Sequence, residues 1–299
     1  MNSMFRVGVF LRGLLMGAAD VVPGVSGGTI ALITGIYEEL INSIKNIQPN
    51  LITTWRKEGF SAFWKAINGP FLVSLFLGIG ISLFSLAKLI TYLLSNFPIL
   101  VWAFFFGLIL ASAIYVGKQV KKWNVVSWLL LLLGAAVAYW ITTISPAQGN
   151  NNIAYLFMSG AIAICAMILP GISGSLIALL LGVYVPVVKA VESLDIKGIL
   201  PFAFGAVVGL LLFSHVLSWL FKRYYSPTLA LLTGFMIGAL NKVWPWKETV
   251  KTYIDRHGEE QPLLETNIAP TDQLLPAVGL AILGFVLVFF LERVAKSNS

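Results

Sequence analysis

Long apolar runs separated by short polar breaks dominate this chain. Unbroken stretches over Phe71–Leu94, Ile99–Val116, Val125–Ile141, Ile199–Phe221 and Leu274–Leu291 fall in the roughly 17–25 residues that carry a helix through a bilayer core. None shows the two-residue alternation of a barrel strand, so the pattern predicts membrane-spanning helices. Two further apolar runs are interrupted in the same way. VVPGVSGGTIALITGIY covers Val21–Tyr37, and ILPGISGSLIALLLGVY covers Ile168–Tyr184. Proline removes a helix donor and restricts the residue before it, so each Pro-Gly breaks a helix. The arm before each break is only about 16 residues, short for a crossing. Two re-entrant hairpins, over about 6–41 and about 153–189, are therefore favoured, with their tips inside the membrane; full crossing by both arms is the alternative and leaves every loop on the same side.

The self-similarity goes further. GISLFS (Gly80–Ser85) matches GLLLFS (Gly209–Ser214), Pro98 and Pro227 each open another apolar segment, and Gly134 and Gly284 mark corresponding late segments. Residues 1–150 and 151–299 read as two diverged copies, each a hairpin followed by three spans, joined in one membrane domain. Three crossings plus a returning hairpin is an odd number, so the second copy enters the membrane upside down relative to the first. Loop charge agrees with this arrangement when both termini are cytoplasmic. Thirteen basic residues then face the cytoplasm (Arg6, Arg12, Lys45, Arg56, Lys57, Lys65, Lys118, Lys121, Lys122, Lys222, Arg223, Arg293 and Lys296). Six face outward: Lys189, Lys197, Lys242, Lys247, Lys251 and Arg256. Residues 241–273 carry six acids against four bases and read as a small outer excursion. The predicted class is an all-α polytopic membrane protein with two inverted-topology repeats, an architecture used by secondary transporters.

Composition strengthens the membrane assignment. Of 299 residues, 58% are hydrophobic and only 11% are charged, with a mean hydropathy of +0.87. A soluble domain carries roughly 25% charged residues. The net charge of +7 follows from cytoplasmic loop bias, so no nucleic-acid partner is inferred. The single cysteine, Cys165, excludes an internal disulfide and a cysteine metal cluster, and no metal or cofactor is expected. The basic, apolar N-terminus lacks a small-x-small cleavage site and reads as a retained membrane segment.

Irregular backbone at membrane depth must satisfy its polar groups or line a cavity. Pro23, Gly24, Gly27 and Gly28 in the first turn, and Pro170, Gly171 and Gly174 in the second, allow tight turns and close approach to a ligand. Ser26 and Ser173 suit the N-caps of the helices that follow. Two such helix starts facing each other, with Ser26, Thr29, Ser173 and Ser175 adding hydroxyls, would suit an anionic group better than a cation. The alternative is that each turn is only a helix break with small residues for packing. Charges within the membrane are the remaining candidates. Lys88 could face an anion or snorkel, and Arg12 could bind a headgroup or mark the boundary. Asp20, Glu38, Glu39 and His215 are the candidates for proton coupling. Asp20 is unmatched in the second copy, where Met167 takes its place; His257, in the outer excursion, carries little information.

GAADVVPGVSGGTIALITGIYEELI together with ILPGISGSLIALLLGVY resembles the bacterial polyprenyl-phosphate transporter family of the PopT type, formerly a domain of unknown function, over essentially the whole chain. The resemblance implies a non-enzymatic flippase of the cytoplasmic membrane. Such a protein returns undecaprenyl phosphate, the lipid carrier of cell-wall and peptidoglycan precursors, from the outer to the inner leaflet. The expected partners are that lipid and the bilayer, with homo-oligomerisation left open. A small-anion carrier is the first alternative. An undecaprenyl pyrophosphate phosphatase-like enzyme is the second; such enzymes have Pro-Gly-x-Ser-Arg-Ser and a spaced glutamate pair. Here Gly27 and Gly174 stand where that arginine would be, and Glu38 and Glu39 are adjacent, which favours binding over phosphoryl transfer.

Overall fold

The computed structural model describes residues 5–22, 25–147, 149–150, 152–254 and 260–297. The first half runs α1 (Val7–Asp20), α2 (Gly27–Ile33), α3 (Tyr37–Lys45), α4 (Leu51–Ala66), α5 (Gly69–Asn96), α6 (Pro98–Lys118) and α7 (Val125–Thr143). The second half runs α8 (Ile153–Ile168), α9 (Gly174–Leu180), α10 (Tyr184–Glu192), α11 (Ile196–Arg223) and α12 (Tyr225–Ala239). It continues through strands β1 (Lys247–Ile254) and β2 (Glu260–Asn267) to α13 (Leu274–Ser297). Among the described residues, α5, α6, α7, α11 and α13 are long and apolar enough to cross a bilayer, so the chain is a multi-pass membrane protein.

These five helices coincide with the five unbroken apolar runs. Three elements differ from the sequence reading. The middle of the three spans expected in the second copy, α12, is only 15 residues, about 22 Å of helix. The Gln48–Asn68 loop contains α4, a mixed polar and aromatic helix bent at Gly59, where φ is +83°. The outer excursion is an antiparallel hairpin of β1 and β2, so the molecule is not wholly helical. Arg256 and His257 lie outside the described residues.

The long helices associate in parallel pairs, α1 with α5, α8 with α11, α6 with α13 and α7 with α12. Apolar side chains gain nothing by leaving lipid for another helix, so close backbone approach at small residues drives such pairing. At every crossing a Cβ on glycine would collide with a facing carbonyl. Gly13 meets Leu75 and Gly78 meets Phe10, while Gly160 meets Phe202 and Gly205 meets Phe157. Gly107 meets Ala281 and Gly284 meets Phe104, while Gly234 meets Leu131 and Gly134 meets Leu231. Each crossing in one half thus has a counterpart involving the other half. The backbone repeats too. α5 and α11 are both 28 residues and end on caps of nearly identical shape, Phe97 (φ −136°, ψ 49°) and Tyr224 (φ −134°, ψ 51°). Gly35 and Gly182, which close the two broken segments, share positive φ of 75° and 67°.

This geometry shifts the repeat register read from GISLFS and GLLLFS. With the helix ends matched, Gly80 lies at the level of Val207, two residues from Gly209. Gly209 packs on Ala161, whereas Gly80 faces open space, so the two glycines do different work. Likewise Pro98 opens α6 at the level of Tyr225 and Pro227 lies within the first turn of α12.

Candidate functional site

Residues that follow the first Pro-Gly bond to residues around the second. Pro23 and Gly24 lie outside the described residues; the rest of the first turn is buried. Ser26 caps α2, its Oγ accepting from Gly28 N at 3.1 Å and donating to the Met167 carbonyl at 2.9 Å. Thr29 Oγ1 accepts from Gly171 N at 3.0 Å, and the Tyr37 hydroxyl donates to the Ile168 carbonyl at 3.1 Å. A Cβ on Gly28 would strike that same Ile168 carbonyl, so glycine is needed for the contact. The carbonyls at the end of α8 and the Gly171 amide have no helical partner at the second break. The first turn satisfies them across the junction.

The start of α2 has a carboxylate of its own. Asp20, the last residue of α1, accepts from Gly27 N at 2.7 Å. This is favourable anion chemistry at a helix start, supplied by the protein itself. At the second break, Met167 holds the matching position. Ser173 caps α9 through a longer 3.4 Å bond from Leu176 N, and its hydroxyl lies 2.6 Å from that of Ser175. Ser175 is exposed to a cavity of about 240 Å³ bounded by α8, α9, α10 and α11. Gly174, Met167, Tyr184 and Phe202 also line it. Pro170 and Gly171 are buried at the junction itself, with Gly171 at a φ of 89°. The two turns are therefore unequal. The first is closed on itself and its partner, and the second opens onto an apolar cavity edged by hydroxyls.

The other sequence candidates lie elsewhere. Arg6 pairs with Glu39, which also accepts from Asn68 Nδ2 at 2.9 Å, and Arg6 N donates to Ser74 Oγ at 2.8 Å. These contacts bring the start of α1, the start of α3 and the start of α5 together at one end of the bundle. Glu38 is exposed there, and Arg12 is half-buried one level deeper. His215 Nδ1 contacts the Leu211 carbonyl at 2.7 Å, and its Nε2 lies 3.3 Å from Gln48 Nε2. Lys88 is exposed on α5, two residues beyond that helix's most apolar window, Gly69–Leu86. Among the described residues, no group of acids, histidines or cysteine could hold a metal ion.

Tyr37 was missed in the sequence. It closes the repeated segment, yet its role depends on a carbonyl 131 positions away, which local pattern cannot reveal.

The fold and this junction define a multi-pass helical membrane protein in which two broken helices meet through their polar turns. By its match to the family model over residues 16–261, the chain belongs to the VCA0040-like, undecaprenyl phosphate translocase-like family. It is 48% identical to a polyprenyl-phosphate transporter of Vibrio cholerae serotype O1, covering 99% of both chains. It is 30% identical to a polyprenyl-phosphate transporter of Staphylococcus aureus, covering 96% of both. No solved structure matches.

Proposed function

We propose that this protein moves undecaprenyl phosphate across the bacterial cytoplasmic membrane, from outer to inner leaflet, by alternating access and without hydrolysing it. The observation that carries the reading is the junction of the two turns beside an apolar cavity. A lipid phosphate needs polar donors for its head at membrane depth and an apolar recess for the adjoining prenyl chain. The Ser173 and Ser175 hydroxyls at the start of α9 and the cavity over Met167 and Phe202 offer both. The bonds across the junction come from hydroxyls and backbone groups, with no arginine to stabilise phosphoryl transfer.

The inverted repeat supports alternating access. α1 and α5 run parallel, as Gly13 against Leu75 and Gly17 against Ile79 require. α8 and α11 also run parallel, through Phe157 against Gly205 and Ala161 against Gly209. In this reading α5, α6 and α7 are crossings, and the start of α8 lies on the side opposite the start of α1. A return of both hairpins to their side of entry is supported by Arg6 meeting Glu39 in the first and by the Tyr155 hydroxyl donating to the Leu181 carbonyl at 2.7 Å in the second. In this reading Asp20 holds the place of a substrate anion at α2. Taking up a proton there would loosen the Gly27 bond and free that helix start, coupling transport to protons.

Proteoliposomes carrying undecaprenyl phosphate in one leaflet test the function. The lipid phosphate should become accessible to a membrane-impermeant phosphatase on the other side only when the protein is present. Release of inorganic phosphate from undecaprenyl pyrophosphate, dependent on Ser26 or Ser173, would instead establish an enzyme. Uptake of a soluble anion unaffected by lipid phosphate would establish a small-anion carrier.

A further inference from the structure

The two hairpins resemble each other in sequence but not in what they touch. In the first, α3 packs along the C-terminal half of α11. Tyr37 meets Phe221 edge-on at 5.7 Å, Ser218 Oγ donates to Asn42 Oδ1 at 2.9 Å, and Lys45 Nζ donates to Ser218 Oγ at 3.3 Å. Gln48, just past the end of α3, reaches His215. In the second hairpin, α10 packs on α9 and on α11, the helix that directly follows it, and makes no comparable packing on α5. Along α5, Lys88, Leu89, Thr91 and Tyr92 are exposed, while Leu94 is half-buried against the core.

The matched caps allow residue-by-residue correspondence. Counting back from Phe97 and Tyr224, Lys88 occupies the level of His215, Thr91 that of Ser218, and Leu94 that of Phe221. α3 and α10 are both nine residues and both begin on the tyrosine closing the repeated motif. Tyr37 therefore matches Tyr184, Asn42 matches Lys189, and Gln48 matches Asp195. Carrying the first hairpin's contacts onto the second sets Tyr184 against Leu94, Lys189 against Thr91, and Asp195 against Lys88. The last is a pair of opposite charges. Lys88 has no hydrogen-bond or ion-pair partner among the described residues, and Asp195 is exposed, with only the Lys197 amide on its carboxylate. A lysine just past the apolar stretch of α5 gains from an acidic partner, and a second state that supplies one accounts for its presence.

We propose that Lys88 and Asp195 form the outer gate of the transport cycle, an ion pair made when α10 packs on α5 as α3 now packs on α11. The two halves then exchange conformations. In the present state the first hairpin is sealed on α11 through Gln48 and His215, and the cavity beside the second hairpin is open. In the other state Asp195 and Lys88 seal the second hairpin, while α3 leaves α11. The proposal rests on the inverted-repeat reading, and its test is separable from the transport assay.

In a Cys165→Ser background, the double variants Gln48→Cys/His215→Cys and Lys88→Cys/Asp195→Cys are treated in native membranes with a short bifunctional methanethiosulfonate, because side chains that meet at their tips leave the Cα atoms beyond the roughly 7 Å a direct disulfide spans. Both pairs should cross-link, the second despite being separate in the present structure. Either cross-link should block transport, and reduction should restore it. Lys88→Asp and Asp195→Lys should each lose transport, with recovery in the charge-swapped double variant. Lipid transport by the unmodified protein, with no Lys88→Cys/Asp195→Cys cross-link and no charge-swap recovery, overturns the gate and leaves the function standing. Both cross-links without lipid transport would leave the gate and overturn the function.

Discussion

Thr29 shows how much one hydroxyl carries at the junction, because Gly171 N is buried and has that oxygen as its acceptor. Thr29→Val keeps the shape and removes the acceptor. An orphaned buried amide costs about 1–3 kcal/mol, so the variant should unfold earlier in a denaturant titration in detergent by about that amount. Asp20→Asn separates capping from titration: the amide oxygen still accepts from Gly27 N, but the side chain no longer exchanges a proton. Lipid movement driven by a pH gradient should fall in this variant, while exchange without a gradient continues. Equal loss of both would remove Asp20 from coupling. Lys247, the first residue of β1, is buried with its ammonium 3.5 Å from the Trp102 ring centroid. Burial, opposed by Glu265 and aided by Lys242, pushes it down from 10.5 to about 7. Burial alone would raise Glu265, but Lys247 and Lys242 outweigh it and hold the carboxyl below its ordinary range. Between about pH 7 and 10.5 the unfolded state therefore binds more protons at Lys247 than the native state does, and stability rises with pH in that window. Lys247→Met should remove this slope, read as the difference in melting temperature between wild type and variant across the window. Cap residues such as Ser26 and Ser173 were legible in the sequence because a cap acts within three residues. Tyr37 and the Lys247–Trp102 contact were not, because their partners are remote in the chain.

Elements were legible where one solvent explains the whole segment. The five crossing helices could be read from apolar length alone, since lipid demands the same of every residue on the outer face. α4 escaped notice because it is amphipathic: exposed Ile52, Trp55 and Phe60 alternate with Arg56, Lys57 and Lys65. That composition suits a helix lying at the membrane surface, with its aromatic rings in the acyl boundary and its bases at anionic headgroups. A spin label at Phe60→Cys should be reached by oxygen more readily than by a water-soluble relaxant. Preference for the water-soluble relaxant would place α4 in the cytosol. The β-hairpin was equally hidden, because strands as polar as Lys247–Ile254 carry no buried-face alternation. The sequence reading set GISLFS against GLLLFS by chemical likeness, whereas matching the ends of α5 and α11 sets Gly80 against Val207, two residues away.

At the scale of the whole molecule, the proposed inverted arrangement makes a geometric demand that labelling can check. The Ser43 hydroxyl is buried and donates to the Glu39 carbonyl, so a probe there would report packing rather than sidedness. Asn46 and Ser193 cap the C-terminal ends of α3 and α10 at matching positions, and both are exposed. In the proposed arrangement, parallel pairing of α1 with α5 and of α8 with α11, joined by an odd number of crossings, would put these two caps on opposite faces. The positive-inside bias assigns Asn46 to the cytoplasm. With Cys165→Ser, a membrane-impermeant thiol reagent added to intact cells should label Ser193→Cys and spare Asn46→Cys, and inside-out vesicles should reverse the result. Labelling of both from one side would mean that α8 starts where α1 does. The two halves could not then exchange conformations across the membrane, and alternating access by inverted hairpins would have to be abandoned.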